Sequence, residues 1–121
     1  MDFDPLSLVE DAPIQVNEAV LAELRRLVGE DHVTLLPGLD TAAEKLEANQ
    51  AIDALLEQLL DGLGEHPSKR WMLGCFQSML TRLEHDDTEY REHVGMALER
   101  IMDIVHVESS DGLLSFYLGG L

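Results

Sequence analysis

The sequence predicts an all-α fold: an antiparallel bundle of about four helices, with an irregular N-terminal arm and a short C-terminal helix. Three observations predict it. Apolar residues recur at i, i+3, i+4 and i+7 in four separate stretches, the spacing that places them on one face of a helix. Asn, Thr, Ser or Asp stands ahead of these stretches, where a side-chain oxygen can satisfy the first free N–H groups of a helix. The hydrophobic fraction is 45% but only 5% is aromatic, so the core is built largely from Leu, Ala and Met, which favour helix, with Val and Ile. Short connections make consecutive helices antiparallel neighbours. A chain of 121 residues suffices for one domain and is short for two, so residues 1–121 are expected to form a single helical domain.

Residues 1–16 carry no sustained period and are punctuated by Pro5 and Pro13; they read as an irregular arm packed across the bundle. A first helix starts at Asn17, with Val20, Leu21, Leu24, Leu27 and Val28 on one face and Gly29 as its C-terminal stop. Residues 29–40 connect, with Val33-Thr34-Leu35-Leu36 as a short extended piece ended by Pro37-Gly38. Thr41-Ala42-Ala43-Glu44 is a capping box for the second helix. Its stripe is Ala48, Ile52, Leu55, Leu56, Leu59, Leu60 and Leu63, closed by Gly62 and Gly64.

A third helix is predicted to begin around His66-Pro67-Ser68, since proline suits a first turn. Its buried face is Trp71, Met72, Cys75, Phe76, Met79, Leu80 and Leu83. Asp86 or Asp87 caps a fourth helix carrying Tyr90, Val94, Ala97, Leu98, Ile101, Met102 and Val105. Ser109-Ser110-Asp111-Gly112 then introduces an apolar tail, residues 109–121, expected to dock on the bundle or on a second subunit.

Charge narrows the function. The net charge is −16, from 24 acidic and 8 basic residues. Such a chain repels nucleic-acid phosphates and anionic membrane surfaces, and it attracts a basic protein. Residues 1–66 hold 15 acidic and 3 basic residues, net −12; residues 67–121 hold 9 and 5, net −4. The acidic Met1-Asp2-Phe3-Asp4 start lacks the charge of a secretory leader, no run approaches the ~20 apolar residues of a membrane span, and the expected compartment is the cytoplasm.

Chemistry-bearing motifs are sparse. His85-Asp86 is the dipeptide used by metal-dependent phosphohydrolases, with His32, His66, His93 and His106 as further candidates. It stands in a charged inter-helix run and reads as an exposed turn. A di-iron bundle needs two Glu-x-x-His pairs; the chain has none, and Asp103-Ile104-Val105-His106 has the spacing once, with the wrong acid. Cys75 shares the apolar face of the third helix and reads as an inert thiol. Gly62-Leu63-Gly64 lacks a phosphate-loop lysine. No catalytic, metal or cofactor-binding residue is therefore assigned, and the protein is expected not to be an enzyme.

One acidic feature stands out. Asp53, Glu57, Asp61 and Glu65 are spaced four apart along the second helix, away from its leucine stripe, with Glu47 and Gln50 alongside. Like charges at that spacing cost a helix ~0.2–0.5 kcal/mol per pair. The row reads either as a solvated face that serves solubility or as a docking surface for a basic partner, and Glu47, Asp53, Glu57, Asp61 and Glu65 are the expected partner-binding residues.

The segment Ile101-Met102-Asp103-Ile104, continuing through Glu108-Ser109-Ser110-Asp111-Gly112-Leu113-Leu114, resembles the C-terminal motif of a small bacterial family of helical domains of unknown function. The resemblance covers the last quarter of the chain, from Tyr90 onward, and implies a bacterial, stand-alone helical protein with no catalytic residues to carry over. The functional expectation is an acidic cytoplasmic protein-binding domain, an immunity or antitoxin-like protein that neutralises a basic toxin. The alternatives are a homo-oligomeric structural or adaptor protein, dimerising through the C-terminal tail, and a metal-dependent hydrolase built on His85-Asp86.

Overall fold

The computed structural model describes residues 3–33, 42–82 and 88–119, with side chains in the last stretch from Tyr90 onward. The described chain is all-helical: α1 Glu18–Leu27, α2 Ala42–Gly62, α3 Lys69–Leu80, α4 Thr88–Ile104 and α5 Leu113–Leu118, preceded by a 3-10 turn at Pro5–Leu8. No strand occurs among the described residues; one isolated bridge joins Pro13 to Ser68. The predicted caps at Thr41 and at Asp86 or Asp87 lie outside the described residues, as do Thr34–Leu36, Leu83 and the His85-Asp86 dipeptide.

The longest helix, α2, is about 30 Å long at ~1.5 Å per residue and packs against α1, α3 and α4. Its stripe does what the spacing dictates: Ala48, Ile52, Leu55, Leu56 and Leu59 are buried, joined by Leu63 just beyond the helix. Leu60 is only partly buried. Facing side chains include Val20, Leu24 and Leu27 of α1, Met72, Leu73, Phe76 and Leu80 of α3, and Leu98 and Ile101 of α4, all buried in the same core.

Helix α1 starts as the sequence indicates. The Asn17 carboxamide oxygen accepts the Val20 N–H at 2.9 Å, and the chain leaves through Gly29 at φ 87°, in the left-handed region that favours glycine.

The start of α3 differs from the sequence expectation. His66 and Pro67 stand outside the helix, and Ser68 is its cap, accepting the Trp71 N–H through its hydroxyl. Pro67 contributes its carbonyl instead, accepting the Ile14 N–H at 2.8 Å. A new helix leaves its first N–H groups without internal partners, and here the arm supplies them. The Ala12 carbonyl accepts the Lys69 N–H, and Asp11 Oδ1 accepts the Arg70 N–H at 3.0 Å and the Ser68 hydroxyl at 2.7 Å. The arm is thus fastened across the beginning of α3, with Val9 and Ile14 buried. Leu73, absent from the predicted face, is fully buried as well.

Gly62 ends α2 for a reason other than a turn. A Cβ at this position would overlap the rim of the Trp71 indole. The missing side chain lets Trp71, half-buried, lie against the helix end, with His66 stacked on it at 5.3 Å.

Helix α4 closes with a paired-bond motif. His106 adopts φ 61°, its N–H donates to the Asp103 carbonyl, and the Val107 N–H reaches back to the Met102 carbonyl at 2.9 Å. These two bonds define the Schellman ending, usually centred on glycine; here a histidine occupies the left-handed position. In the tail, Gly112 rather than a serine is the N-cap of α5, but the Ser110 hydroxyl still accepts the Leu114 N–H. Leu113, Leu114 and Leu118 dock into the core, while Phe116 stays exposed.

Candidate functional site

With the leucine stripe of α2 turned inward, the acidic row does not behave as one surface. Each four-residue step turns ~40° about the helix axis, because ~3.6 residues make a turn. The row therefore slants, and its members meet different surroundings.

Asp53 faces the segment that follows α1. Its Oδ1 accepts the Nε2–H of His32 at 2.7 Å and the N–H of Gly29 at 3.1 Å. A carboxylate only accepts, so Nε2 carries the proton. The His32 side chain is 3% exposed and that of Asp53 30%. One turn earlier, Asn49 Oδ1 accepts the His32 N–H at 2.7 Å, and its Nδ2 donates to Asp31. Asn49 and Asp53 thus clasp residues 29–33 onto α2. Asp53 is a fastening of the fold, a role that departs from the outward-facing position read from its spacing.

Glu57 and Asp61 are exposed on the open side of α2, and no cation among the described residues lies within ion-pair distance of either. Glu65 is exposed too, but the helix has ended at Gly62, and residues 63–65 form a turn in which the Glu65 N–H donates to the Gly62 carbonyl. Asp61 and Glu65 are therefore not successive rungs of one helix. Glu47, near the other end of α2, lies on the side of Tyr90. Burial pushes that phenol up to about 12, and the negative charges of Glu47 and Glu44 add to the shift. The structure brings together Glu57 and Asp61 and sets the other three apart.

Four of the eight cations hold elements together. Lys69 meets Asp111 at 2.8 Å, Lys45 meets Asp31 at 3.6 Å, Arg100 meets Glu30 at 3.3 Å, and the Arg70 guanidinium donates to the Val9 carbonyl. Among the described residues no acidic residue is fully buried.

Beside the Glu57–Asp61 side runs a cleft between α2 and α3 that sequence reasoning missed. Its volume is about 280 Å³, and it is lined by Ala51, Ala54, Leu55, Gln58, Cys75, Ser78, Met79 and Arg82. The available signal was the pair Ala51 and Ala54 with Gln58, small or polar residues at helical spacing beside the leucine stripe. Cys75 lies on its floor, and desolvation pushes its thiol up to about 11, away from the reactive thiolate.

The described histidines do not converge. His32 is in the clasp, His66 is on Trp71, His93 is half-buried on α4 and His106 is exposed. Among the described residues, no three His, Cys, Asp or Glu side chains come together to hold a metal. No helix among them is long and apolar enough to cross a membrane.

Fold and surface define a small all-helical domain with an acidic, open helix face next to an apolar cleft. Residues 14–121 match a family described as a domain of unknown function, DUF4844, and the chain belongs to that family. No curated protein and no solved structure matches the chain.

Proposed function

We propose that this protein is an acidic protein-binding domain of the bacterial cytoplasm, which neutralises a basic toxin by direct contact in the manner of an immunity protein or antitoxin. The observation that carries the reading is the state of Glu57 and Asp61: exposed, adjacent on the helix, and without an ion pair among the described residues, in a chain four of whose eight cations are engaged in joining its own elements. Two carboxylates held one turn apart on a rigid helix repel one another and present a field that speeds the approach of a basic surface. The helices are read as antiparallel neighbours. The beginning of α3 meets the end of α2, at Trp71 and Gly62, while its end shares a cleft with the middle of α2.

The test is rescue. A basic protein encoded beside this gene is expressed with and without it. Growth should be restored by wild type and not by the Glu57→Lys, Asp61→Lys variant. Equal rescue by both removes the acidic face from the function.

A second reading, a homo-oligomeric adaptor that dimerises through the tail, has its own support. Phe3 and Phe116 touch at 5.6 Å between ring centroids yet remain 57% and 54% exposed. A dimer by light scattering, lost on Phe116→Ser, would favour it.

A further inference from the structure

We infer that the cleft between α2 and α3 receives an apolar side chain from a basic helical segment of the partner, whose flanking lysines or arginines meet Glu57 and Asp61. This rests on the protein-binding reading and names the chemistry of its partner.

The floor is apolar: Leu55, Cys75 and Met79 are buried, with Ala51 half-buried and Ala54 exposed at the lip. At about 280 Å³ the cleft lies just under the ~300–1,000 Å³ typical of small-molecule sites, and its short side chains leave room for an anchor residue rather than a cofactor. Helical geometry places Glu57 and Asp61 on the outer flank of α2, one turn from Ala54 and Gln58 respectively and outside the cleft's own lining, where the charged flank of a helix seated in the cleft would meet them. Arg82 borders it on the α3 side and has no ion-pair partner among the described residues. The two flanks thus differ in sign. An apolar anchor is recognised by the floor, a basic flank by Glu57 and Asp61, and an acidic group on the opposite flank by Arg82. That arrangement is the helix-in-groove mode, in which an amphipathic helix lays an apolar residue into a slot and its charges set the orientation.

The probes are two fluorescent synthetic helices of equal positive charge. One carries Lys with Leu on its apolar face, and the other replaces every Leu with Ala. Wild type should bind the Leu helix at least about 10-fold tighter, and amide shifts on binding should centre on Ala51, Ala54, Leu55, Cys75 and Met79. Ala54→Phe fills the lip from an exposed position, and Ser78→Trp does so from α3; either should erase the Leu preference while leaving salt-sensitive binding of the Ala helix. Glu57→Lys, Asp61→Lys should weaken both helices. An unchanged Leu preference in both filled variants, or shifts elsewhere, overturns the cleft and leaves the acidic face standing. Unchanged binding of both helices to the charge-reversed protein overturns the acidic face itself. A dimer of the free protein that Ala54→Phe converts to monomer would identify a second copy as the occupant and overturn the proposal.

Discussion

His32 Nε2 lies 2.7 Å from Asp53 Oδ1, joining the segment after α1 to the middle of α2 across 21 positions of sequence. The imidazole is nearly inaccessible, so the carboxylate is the partner its N–H has in place of water. Truncating Asp53 leaves a buried donor unsatisfied, which costs about 1–3 kcal/mol. Asp53→Ala should therefore lower the unfolding free energy measured in urea by that amount, whereas Glu57→Lys should raise it by about 0.4–1 kcal/mol, since it relieves two repulsive four-residue pairs. Opposite signs from two neighbours in one acidic row distinguish a structural carboxylate from a surface one; equal small effects would show that the clasp contributes little.

Gly62→Ala tests the contact with Trp71. Alanine favours helix over glycine by ~1 kcal/mol, but the added methyl overlaps the indole, and overpacking costs about 1–3 kcal/mol. The net expectation is a loss of up to about 2 kcal/mol, accompanied by a shift in Trp71 fluorescence. In a Trp71→Leu background the same substitution should become neutral or stabilising. A gain in the wild-type background would mean that the ring moves aside at no cost.

His106→Gly should stabilise. The left-handed backbone costs a residue with a Cβ roughly 1–2 kcal/mol, and part of that returns as the extra freedom of glycine in the unfolded chain. A gain of about 0.5–1 kcal/mol in chemical denaturation is expected. Loss of stability instead would reveal a side-chain role for His106 at the end of α4.

Acid should act through the arm. Bonds from the Arg70 N–H and the Ser68 hydroxyl hold the Asp11 carboxyl below the usual carboxylate range, and Lys69 with the Glu10 N–H does the same for Asp111. Groups with a depressed folded pKa contribute stability that is present above the unfolded value of ~3.9 and is lost as pH falls through the folded value. Against an Asp11→Asn, Asp111→Asn variant, wild type should hold its full advantage at neutral pH and lose it only below about pH 4. Parallel pH curves for the two proteins would show that neither carboxylate is held by the fold.

What could be read from sequence was what is local. The stripe from Ala48 to Leu59 and the cap at Asn17 follow from spacing and from a single side-chain oxygen, and both are found. Ser68 was within reach, but Pro67 drew the helix start two residues too early, because its carbonyl is used by a strand-like arm far away in sequence. The candidate site was legible as charge and not as geometry. Four carboxylates at equal spacing look alike until tertiary packing turns one toward His32 and ends the helix before another. Gly62 reads as a helix stop, since nothing in a linear pattern announces a ring against it. The cleft between α2 and α3 is a property of two helices together, and periodicity reports one helix at a time.

The fastening of the arm also imposes an order of events on synthesis. Glu10 finds its acceptor in Asp111, 101 positions later, and Phe3 finds Phe116. Contacts so distant in sequence form only after the intervening chain exists and its loop has closed. A nascent chain can therefore assemble α1, α2 and α3 while Phe3, Leu6, Leu8 and Val9 still lack part of their final surroundings. During that interval the emerging polypeptide displays a short apolar, aromatic leader segment, which is the kind of surface chaperones hold and misassembly exploits. In the finished fold Val9 is buried and the Pro5–Leu8 turn packs against both α3 and α5, so the arm reaches its final surroundings only once the C-terminal helix is in place.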